Sequence, residues 1–334
     1  MNYGKLTESI YERSVVKVVK TNSDRNRKFY DGTGLGADCA IFPYDDNGNK
    51  VLLITGQALS HGKDMDIALR AFIAAVNSAI INGADKNLYA NITFMLPERL
   101  REIKARQMLE RAVIKAEELE IPILSANVQV IPSVNEPIVC CTINGISSVN
   151  IKKQSKAQPN EDIVMTKWLG LEGTAIIADN YFDKLCERYH KDIAEEARAF
   201  RRYLSIIPEA ATAQKSGVSA MQMLREGGVF GGLWELAANN GVGLVVDLKS
   251  IPVRQETIEV CELFDLNPYE LLAGGSMLIT ASNGAELVRI LNEQGIEAAV
   301  IGRTTSGNDK IIRHNDEQRF LEPAKGDEIY KIMV

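Results

Sequence analysis

Two glycine-rich segments contain the residues best spaced to bind an anion. In the first, residues 32–38, three alternate glycines precede Ala37 and Asp38 at the entrance to a predicted strand. Glycines let backbone N–H groups approach an anion closely, and the carboxylate that follows could hold a Mg²⁺ ion that bridges phosphates. The segment has neither the Gly-Lys-Ser/Thr ending of a Walker A loop nor the helix that follows a dinucleotide fingerprint. Its pattern leaves open a phosphate site or a flexible turn.

The second segment, residues 227–232, places two glycine pairs directly before an amphipathic stretch that ends at Asn240 and Gly241. Each glycine inside a helix costs about 1 kcal/mol relative to alanine, so four of them at a helix start need a reason. One reason is anion binding, because free N–H groups and the positive end of the helix dipole meet there. The other is close packing of the helix on a sheet, and the pattern does not choose between them.

No group of histidines or cysteines predicts a metal centre or a nucleophile. His61, His190 and His314 are scattered without an H-x-x-x-H pair. The five cysteines are odd in number and show no C-x-x-C spacing, so neither a disulfide framework nor a zinc knuckle is predicted. Cys140 and Cys141 are neighbours in a strand-like run, where successive side chains face opposite ways. We therefore expect one of them to be buried.

A predicted hairpin and helix position the first group of polar residues. Turn residues 45–48 lie between two apolar runs and predict a hairpin over residues 39–55. Asp64 suits a helix N-cap, and apolar residues at helical spacing continue from there to Gly83. Lys63, in the loop before this helix, is a candidate phosphate ligand, although a solvated loop lysine is the commoner role.

A polar segment marks the boundary between two predicted domains, 1–152 and 162–334. Residues 152–161 contain a proline and lack periodicity, as linkers do. The other predicted strands span 91–96, 121–131 and 138–149 before the boundary and 243–248, 277–281 and 298–303 after it. Because helical stripes alternate with the later strands, we expect a second α/β or α+β layer.

Composition excludes several classes of protein. The 334 residues suffice for two domains, and 38 basic against 44 acidic side chains leave a net charge of −6. With 6% aromatic residues and no strongly basic block, a nucleic-acid groove is not expected. No apolar run approaches the ~20 residues that cross a bilayer, and the N-terminal residues lack the pattern of a signal peptide. We expect a cytoplasmic protein without a nucleic-acid or membrane partner.

The order of these segments resembles the aminoimidazole ribonucleotide synthetase (PurM-like) superfamily, which includes selenophosphate synthetase, thiamine-monophosphate kinase and the HypE-type hydrogenase maturation factors. The likeness extends over nearly the whole chain and is nearest to the HypE type. In the first half, four segments of this chain correspond to motifs of the family: 36–41 corresponds to Gly-Asp-Asp-Ala-Ala-Val, 54–57 to Thr-Thr-Asp, 76–84 to Asn-Asp-Leu-Ala-x-x-Gly-Ala and 124–128 to Gly-Gly-Asp-Thr. In the second half, 231–233 matches the end of Asp-x-Thr-x-Gly-Gly-Leu, and the similar segments 241–243 and 251–253 follow.

The resemblance implies a fold and a set of ligands. The fold would be α/β (α+β) with two domains: an N-terminal domain whose strands close a β-barrel with a second copy in a homodimer, and a C-terminal α/β sandwich. The ligands would be ATP and Mg²⁺ in the inter-domain cleft formed by the N-terminal domain. The chemistry would be ATP-dependent phosphoryl transfer to a small substrate, which depends on positioning and on neutralising phosphate charge.

The sequence departs from the family at four acidic positions. The positions hold Ala37, Gly56 or Gln57, Ser78 and Asn127, while Asp38 is kept. We expect the loss of four carboxylates to lower metal affinity, although Asp38 with Asn127 and Gln57 remains a candidate set for weak Mg²⁺ binding. HypE-type factors also end in a cysteine that carries the carbamoyl group. This chain ends in Tyr-Lys-Ile-Met-Val, so nitrile synthesis on its own terminus is not expected.

Three functions follow from the resemblance together with these departures. One is a phosphoryl-transferring enzyme with Asp38 as its metal ligand. The second is a catalytically degenerate scaffold or sensor that binds a nucleotide or another phosphorylated ligand, which the lost carboxylates favour. The third is an accessory protein that acts with a partner in hydrogenase or metalloenzyme maturation. The candidate ligand-binding residues are Gly36, Asp38, Thr55, Gln57, Lys63, Asn77, Ser78, Asn127, Gly228, Gly231 and Gly232.

Overall fold

A computed structural model of the chain describes residues 3, 6–19, 39–46, 49–147 and 156–333. The predicted glycine segment 32–38, with Gly36 and Asp38, lies outside these residues. Contacts between Cα atoms divide the chain into two compact units. One comprises Val16–Lys152, and the other combines the described parts of Met1–Val15 and Lys153–Val334. Helix α1 (Glu8–Tyr11) thus groups with the second unit, whereas the predicted first domain began at residue 1.

The first unit contains a five-stranded sheet. Its strands are β1 (Cys39–Asp46), β2 (Asn49–His61), β3 (Lys86–Leu96), β4 (Ile123–Val130) and β5 (Ile138–Ser147). They lie in the order β1-β2-β5-β3-β4, with β3 and β4 parallel and the other neighbours antiparallel. The antiparallel pairing of β1 with β2 confirms the predicted hairpin.

Helix α2 (Ile67–Ile81) packs against β2 and β5, and helix α3 (Glu102–Glu118) packs against α2. Burial alternates strictly along β5, which is the pattern of a strand with one covered face. Helix α2 begins three residues after the predicted N-cap Asp64. The buried carboxylate of Asp64 accepts the N–H of Asp66 and forms an ion pair with Arg70 at 2.7 Å. Asp64 therefore organises the turn that leads into α2.

The second unit contains a seven-stranded sheet in the order β12-β11-β8-β10-β6-β9-β7. Its strands are β6 (Asp162–Thr166), β7 (Ala220–Met223), β8 (Gly243–Asp247), β9 (Met277–Ala281), β10 (Ala298–Thr305), β11 (Lys310–His314) and β12 (Glu317–Phe320). The neighbours are antiparallel except β8 and β11. The strands predicted near 243, 277 and 298 are all present, which confirms the mixed α/β class.

The second unit contains, besides α1, the helices α4 (Leu171–Asn180), α5 (Phe182–Arg188), α6 (Lys191–Ala199), α7 (Ile207–Lys215), α8 (Gly228–Asn240), α9 (Gln255–Phe264), α10 (Gly284–Glu293) and α11 (Tyr330–Met333). Helices α8 and α10 among them pack against its sheet, and the core is built from helices and strands together. One apolar cluster joins α8 to β6 and β8, and a second joins α4, α6 and α9. None of the helices in the described residues is long and apolar enough to cross a membrane.

A buried lysine ties the end of β6 to α7. The ammonium of Lys167 lies 2.6 Å from a carboxylate oxygen of Glu209 and donates to the carbonyl oxygens of Tyr203, Ser205 and Gly275 at 2.8, 2.7 and 2.9 Å. Burial lowers the pKa of Lys167, and Glu209 opposes that effect. The ion pair is thus embedded in a cage of backbone oxygens.

Candidate functional site

The face of the first sheet opposite α2 carries three of the predicted site residues. Thr55, Gln57 and Asn127 are half-buried or exposed there, because alternate residues of β2 and β4 point to the same side. Gly56, between the first two, points the other way, and a Cβ on it would stand 2.6 Å from the carbonyl oxygen of Ala75 in α2. We call the exposed side the open face.

Strand register arranges the open face in three rows across the sheet. The rows are Thr55–Asn144–Tyr89, Gln57–Thr142–Asn91–Ser125 and Leu59–Cys140–Thr93–Asn127. The middle row is entirely polar and uncharged. Since neighbouring strands lie about 4.8 Å apart, β2 and β4 are separated by roughly 14 Å. Thr55 and Gln57 on β2 and Asn127 on β4 therefore lie at opposite sides of a broad polar surface.

Hydrogen bonds between strands hold the side chains of this surface. Thr55 Oγ1 is 3.1 Å from Asn144 Oδ1, and Gln57 Nε2 donates to Cys140 Sγ at 3.3 Å. At the other side of the sheet, Ser125 Oγ donates to an amide oxygen of β3 at 2.8 Å. The hydroxyl protons of Thr55 and Ser125 are used in these bonds, so the groups of the open face that can donate hydrogen bonds to phosphate oxygens are the side-chain amides, each of which has two N–H donors.

The other predicted residues of the first unit lie elsewhere. Asn77 and Ser78 are each only 2% exposed in α2, which packs on the covered side of the sheet. Lys63 is exposed and forms a 2.9 Å ion pair with Glu136. The structure thus brings Thr55, Gln57 and Asn127 to one surface and separates Asn77 and Ser78 from it.

The resemblance implies Mg²⁺, and the described residues of the open face do not fit it. Mg²⁺ is held in proteins by one or two carboxylates together with water and phosphate oxygens. Gln57 and Asn127 are neutral amides, and the described residues contain no group of three histidine, cysteine or acidic side chains that could hold a metal ion. Asp38 stays a predicted metal ligand outside the described residues.

The two neighbouring cysteines separate as expected. Cys141 is fully buried under α2, and burial, with a smaller contribution from Cys140, raises the pKa of its thiol to about 12. Cys140 points to the open face beside Gln57. The expectation that one of the pair is buried is confirmed.

In the second unit, the glycine segment forms the beginning of α8. The helix starts at Gly228, and its N-cap Gly227 has a φ of 83°. The N–H of Gly227 donates to the carboxylate of Asp327 at 2.7 Å. An anion therefore does lie at this helix start, and it belongs to the chain itself.

Close packing accounts for the glycines that follow. A Cβ on Gly228 would stand 2.4 Å from the carbonyl oxygen of Tyr269, and one on Gly232 would stand 2.0 Å from the side chain of Leu224. Gly231 is less tight, since a Cβ on it would stand 3.0 Å from the carbonyl oxygen of Glu226. The packing explanation thus has direct support, while binding of an external ligand by Gly228, Gly231 and Gly232 stays a prediction.

Sequence reasoning did not find Asp327. Its two oxygens also accept the N–H groups of Leu272 at 3.1 Å and Ile329 at 2.9 Å. Burial raises the pKa of Asp327 to about 7, although its backbone hydrogen bonds act in the opposite direction. No motif could have marked this residue, because its partner Gly227 lies 100 positions away in the chain.

Comparisons with known proteins agree on one fold. A family model described as AIR synthase related protein, C-terminal domain, matches residues 158–315. Carbamoyl dehydratase HypE of Rhodobacter capsulatus is 25% identical over 276 residues, which make up 80% of this chain and 77% of that protein. A solved HypE–HypF complex aligns with a TM-score of 0.71 and 16% identity over 93% of this chain and 99% of the matched one. HypE in complex with ATP aligns with a TM-score of 0.62 and 17% identity, over 84% and 87%.

Proposed function

Because this chain belongs to the PurM-like superfamily and is close to HypE within it, we propose that it binds ATP or another phosphorylated ligand. The observation that supports this proposal is the open face, where Thr55, Gln57 and Asn127 share one polar surface. The likeness to a HypE that was solved with ATP adds support for a nucleotide. Binding would involve the side-chain amides of the open face, which can donate N–H groups to the phosphates.

The neutral character of the open face favours binding over turnover. Phosphoryl transfer requires metal ions or cations that neutralise the charge developing on the phosphate oxygens. At the acidic positions that the resemblance assigns within the described residues, this chain has Gly56 or Gln57, Ser78 and Asn127 instead of carboxylates. We therefore propose a ligand-binding protein, a scaffold or sensor, whose phosphoryl-transfer activity is weak or lost. The alternative, an ATP-dependent enzyme, depends on Asp38.

Calorimetry with ATP, with and without Mg²⁺, tests the proposal together with an assay of phosphate release. We expect heat of binding in both conditions and no turnover above the level without protein. Gln57→Ala with Asn127→Ala should weaken binding, on the order of tenfold for the loss of two hydrogen bonds of about 0.5–1.5 kcal/mol each. Gln107→Ala, which removes an exposed amide from α3, is the matched control and should bind as the unmodified protein does.

The outcomes separate the two functions. Metal-dependent turnover that disappears in Asp38→Ala would establish the enzyme and refute the scaffold. Absence of binding for ATP, ADP and inorganic pyrophosphate would contradict both.

The likeness to HypE in its complex with HypF favours a second candidate, an accessory role with a maturation partner. The expected result is that the tagged chain retains one defined protein from native cytosol at stoichiometric yield. Elution of that protein by ATP would connect this role to the ligand site, whereas recovery of the tagged chain alone would argue against it.

A further inference from the structure

We propose that four oxygen atoms in the second unit form a binding site for a monovalent cation, and that the chain fills this site with its own ammonium group, that of Lys167. An ion of the K⁺ or NH₄⁺ class is the ligand that the site takes when this side chain is shortened. The site lies in the second unit, and the proposal does not depend on the function proposed for the open face of the first.

The oxygens come from α7, from the loop before it and from the turn before β9. The carbonyl oxygens of Tyr203, Ser205 and Gly275 lie 2.8, 2.7 and 2.9 Å from Nζ of Lys167, and a carboxylate oxygen of Glu209 lies 2.6 Å from it. A lysine ammonium has three N–H groups, and the three carbonyls suffice to accept them. Nζ thus has one oxygen neighbour more than it has donors, which is how oxygens surround a metal cation.

The distances and the charge of these ligands select a monovalent ion. Mg²⁺ is held at about 2.0–2.1 Å and Ca²⁺ at about 2.3–2.6 Å, whereas backbone carbonyl oxygens replace the hydration shell of K⁺ in its channels. The three carbonyl contacts, at 2.7–2.9 Å, are too long for either divalent ion. Glu209 brings one negative charge, so one positive charge neutralises the site, and a divalent ion would leave a buried net charge.

The fold itself holds these ligands in place. Tyr203 ends a short 3₁₀-helix (Phe200–Tyr203), and Glu209 is fully buried in the first turn of α7. Gly275 has a φ of 97°, and a Cβ on it would stand 2.6 Å from the carbonyl oxygen of Tyr203. Only glycine therefore permits these two carbonyl ligands to approach each other. We expect the four oxygens to keep their positions when the lysine side chain is removed.

The backbone of Lys167 indicates why a lysine stands at this position. Its φ is 56°, a left-handed conformation that costs free energy for a residue with a Cβ and that glycine adopts without this cost. Its N–H donates to the carbonyl oxygen of Glu297 at 2.7 Å, a bond that does not need the side chain. The backbone thus favours glycine, and the ammonium is what the lysine contributes. Lys167→Gly relieves the backbone and opens the cation site.

Thermal unfolding of Lys167→Gly in the chlorides of K⁺, NH₄⁺, Na⁺ and choline, at equal ionic strength, tests the proposal. We expect K⁺ and NH₄⁺ to raise the unfolding midpoint above its value in choline, and the smaller Na⁺ to raise it less. For a site that is half-filled at about 10 mM, about 200 mM KCl favours the folded form roughly twentyfold. The unmodified chain should show no such preference, because its site is already filled.

Lys167→Met is the matched control. Methionine has a side chain of similar length without the charge, so it fills the space, and its midpoint should not distinguish K⁺ from choline. Equilibrium dialysis with Rb⁺, an analogue of K⁺, should find a bound ion in Lys167→Gly and none in Lys167→Met or in the unmodified chain. Adding Glu209→Gln to Lys167→Gly should weaken Rb⁺ binding, because the site then lacks its negative charge.

Equal midpoints of Lys167→Gly in K⁺, Na⁺ and choline would overturn the proposal, and so would the same ion preference in Lys167→Met. If Lys167→Gly does not fold in choline chloride, its recovery in KCl supports the site. Failure of both Lys167→Gly and Lys167→Ala to fold in KCl refutes it, because the ion should replace the missing charge.

Discussion

Lys167 and Asp327 are buried charged side chains that backbone groups hold in place. The ammonium of Lys167 contacts three carbonyl oxygens, and the carboxylate of Asp327 contacts three N–H groups. The side chains of Gln57 and Asn127 on the open face are neutral, and the resemblance assigns acidic positions to Asn127 and to Gly56 or Gln57. At the scale of residues, buried charged side chains therefore connect backbone segments within the second unit, whereas the described side chains of the open face in the first unit are uncharged.

Lys167→Met should destabilise the second unit by about 3–5 kcal/mol, because it leaves Glu209 as an uncompensated buried charge. Lys325→Met removes a comparable but exposed pair with Glu322 and should change stability little. Urea unfolding of both variants, followed by circular dichroism, measures the difference. Equal midpoints would show that the buried pair does not contribute as inferred.

Thiol labelling should distinguish the neighbours Cys140 and Cys141. Cys140 is partly exposed on the open face, whereas burial raises the pKa of Cys141 to about 12 and shields its sulfur. Mass spectrometry after brief iodoacetamide treatment at pH 8 should find Cys140 modified and Cys141 intact until the chain is unfolded. Cys140→Ser should remove the modification of this peptide, and labelling of native Cys141 would contradict the assigned strand orientation.

The contact between β2 and α2 decides which face of the first sheet is open. Gly56 lets the backbone of α2 approach the strand at Ala75 and Ala79, and the residues on either side of it then point away from the helix. A shift of one residue in the register of β2 would exchange the covered and open sets of side chains. Strand β2, with Gly56 at its contact with α2, is thus the element that places these side chains on the open face.

Gly56→Ala should destabilise the protein by about 1–3 kcal/mol, because the new methyl group would lie 2.6 Å from a carbonyl oxygen of α2. Leu59→Ala, on the open face of the same strand, is the control and should cost less, since Leu59 is 49% exposed. Thermal unfolding monitored by calorimetry measures both. A Gly56→Ala protein as stable as the control would show that strand and helix are not in tight contact.

At the scale of the whole molecule, we propose a homodimer, as the superfamily resemblance implies. Strand β4 lies at the edge of the sheet in the described part of the first unit. Leu124, Val128 and Val130 on it are 64%, 52% and 63% exposed, which is unusual for large apolar side chains on an edge strand. A second copy pairing there would cover both the strand edge and these side chains.

Val128→Lys combined with Val130→Lys should convert the protein to a monomer in light scattering after gel filtration. Two charges on the paired edge oppose association of the strands. Ile114→Lys, at a 57% exposed position of α3, provides the control and should remain dimeric. An unmodified protein that is monomeric at micromolar concentration would refute the dimer.

Local periodicity in the sequence determined most of the elements. The hairpin of β1 and β2, the amphipathic helices and the strands near 243, 277 and 298 were all predictable, because alternation and helical spacing are properties of neighbouring residues. Motif order likewise predicted the resemblance to the PurM-like superfamily, and with it the missing acids at Gly56 or Gln57 and at Asn127. These conclusions need only residues that are close in the chain.

Contacts between distant parts of the chain decided the rest. Only the tertiary structure showed that Asn77 and Ser78 are buried away from the open face, and that α1 groups with the second unit. It also showed that the N–H of Gly227 at the start of α8 donates to the carboxylate of Asp327, which lies 100 residues further along the chain. The physical reason is that burial and hydrogen-bond partners depend on which elements pack together, and no local pattern of glycines or acids specifies that.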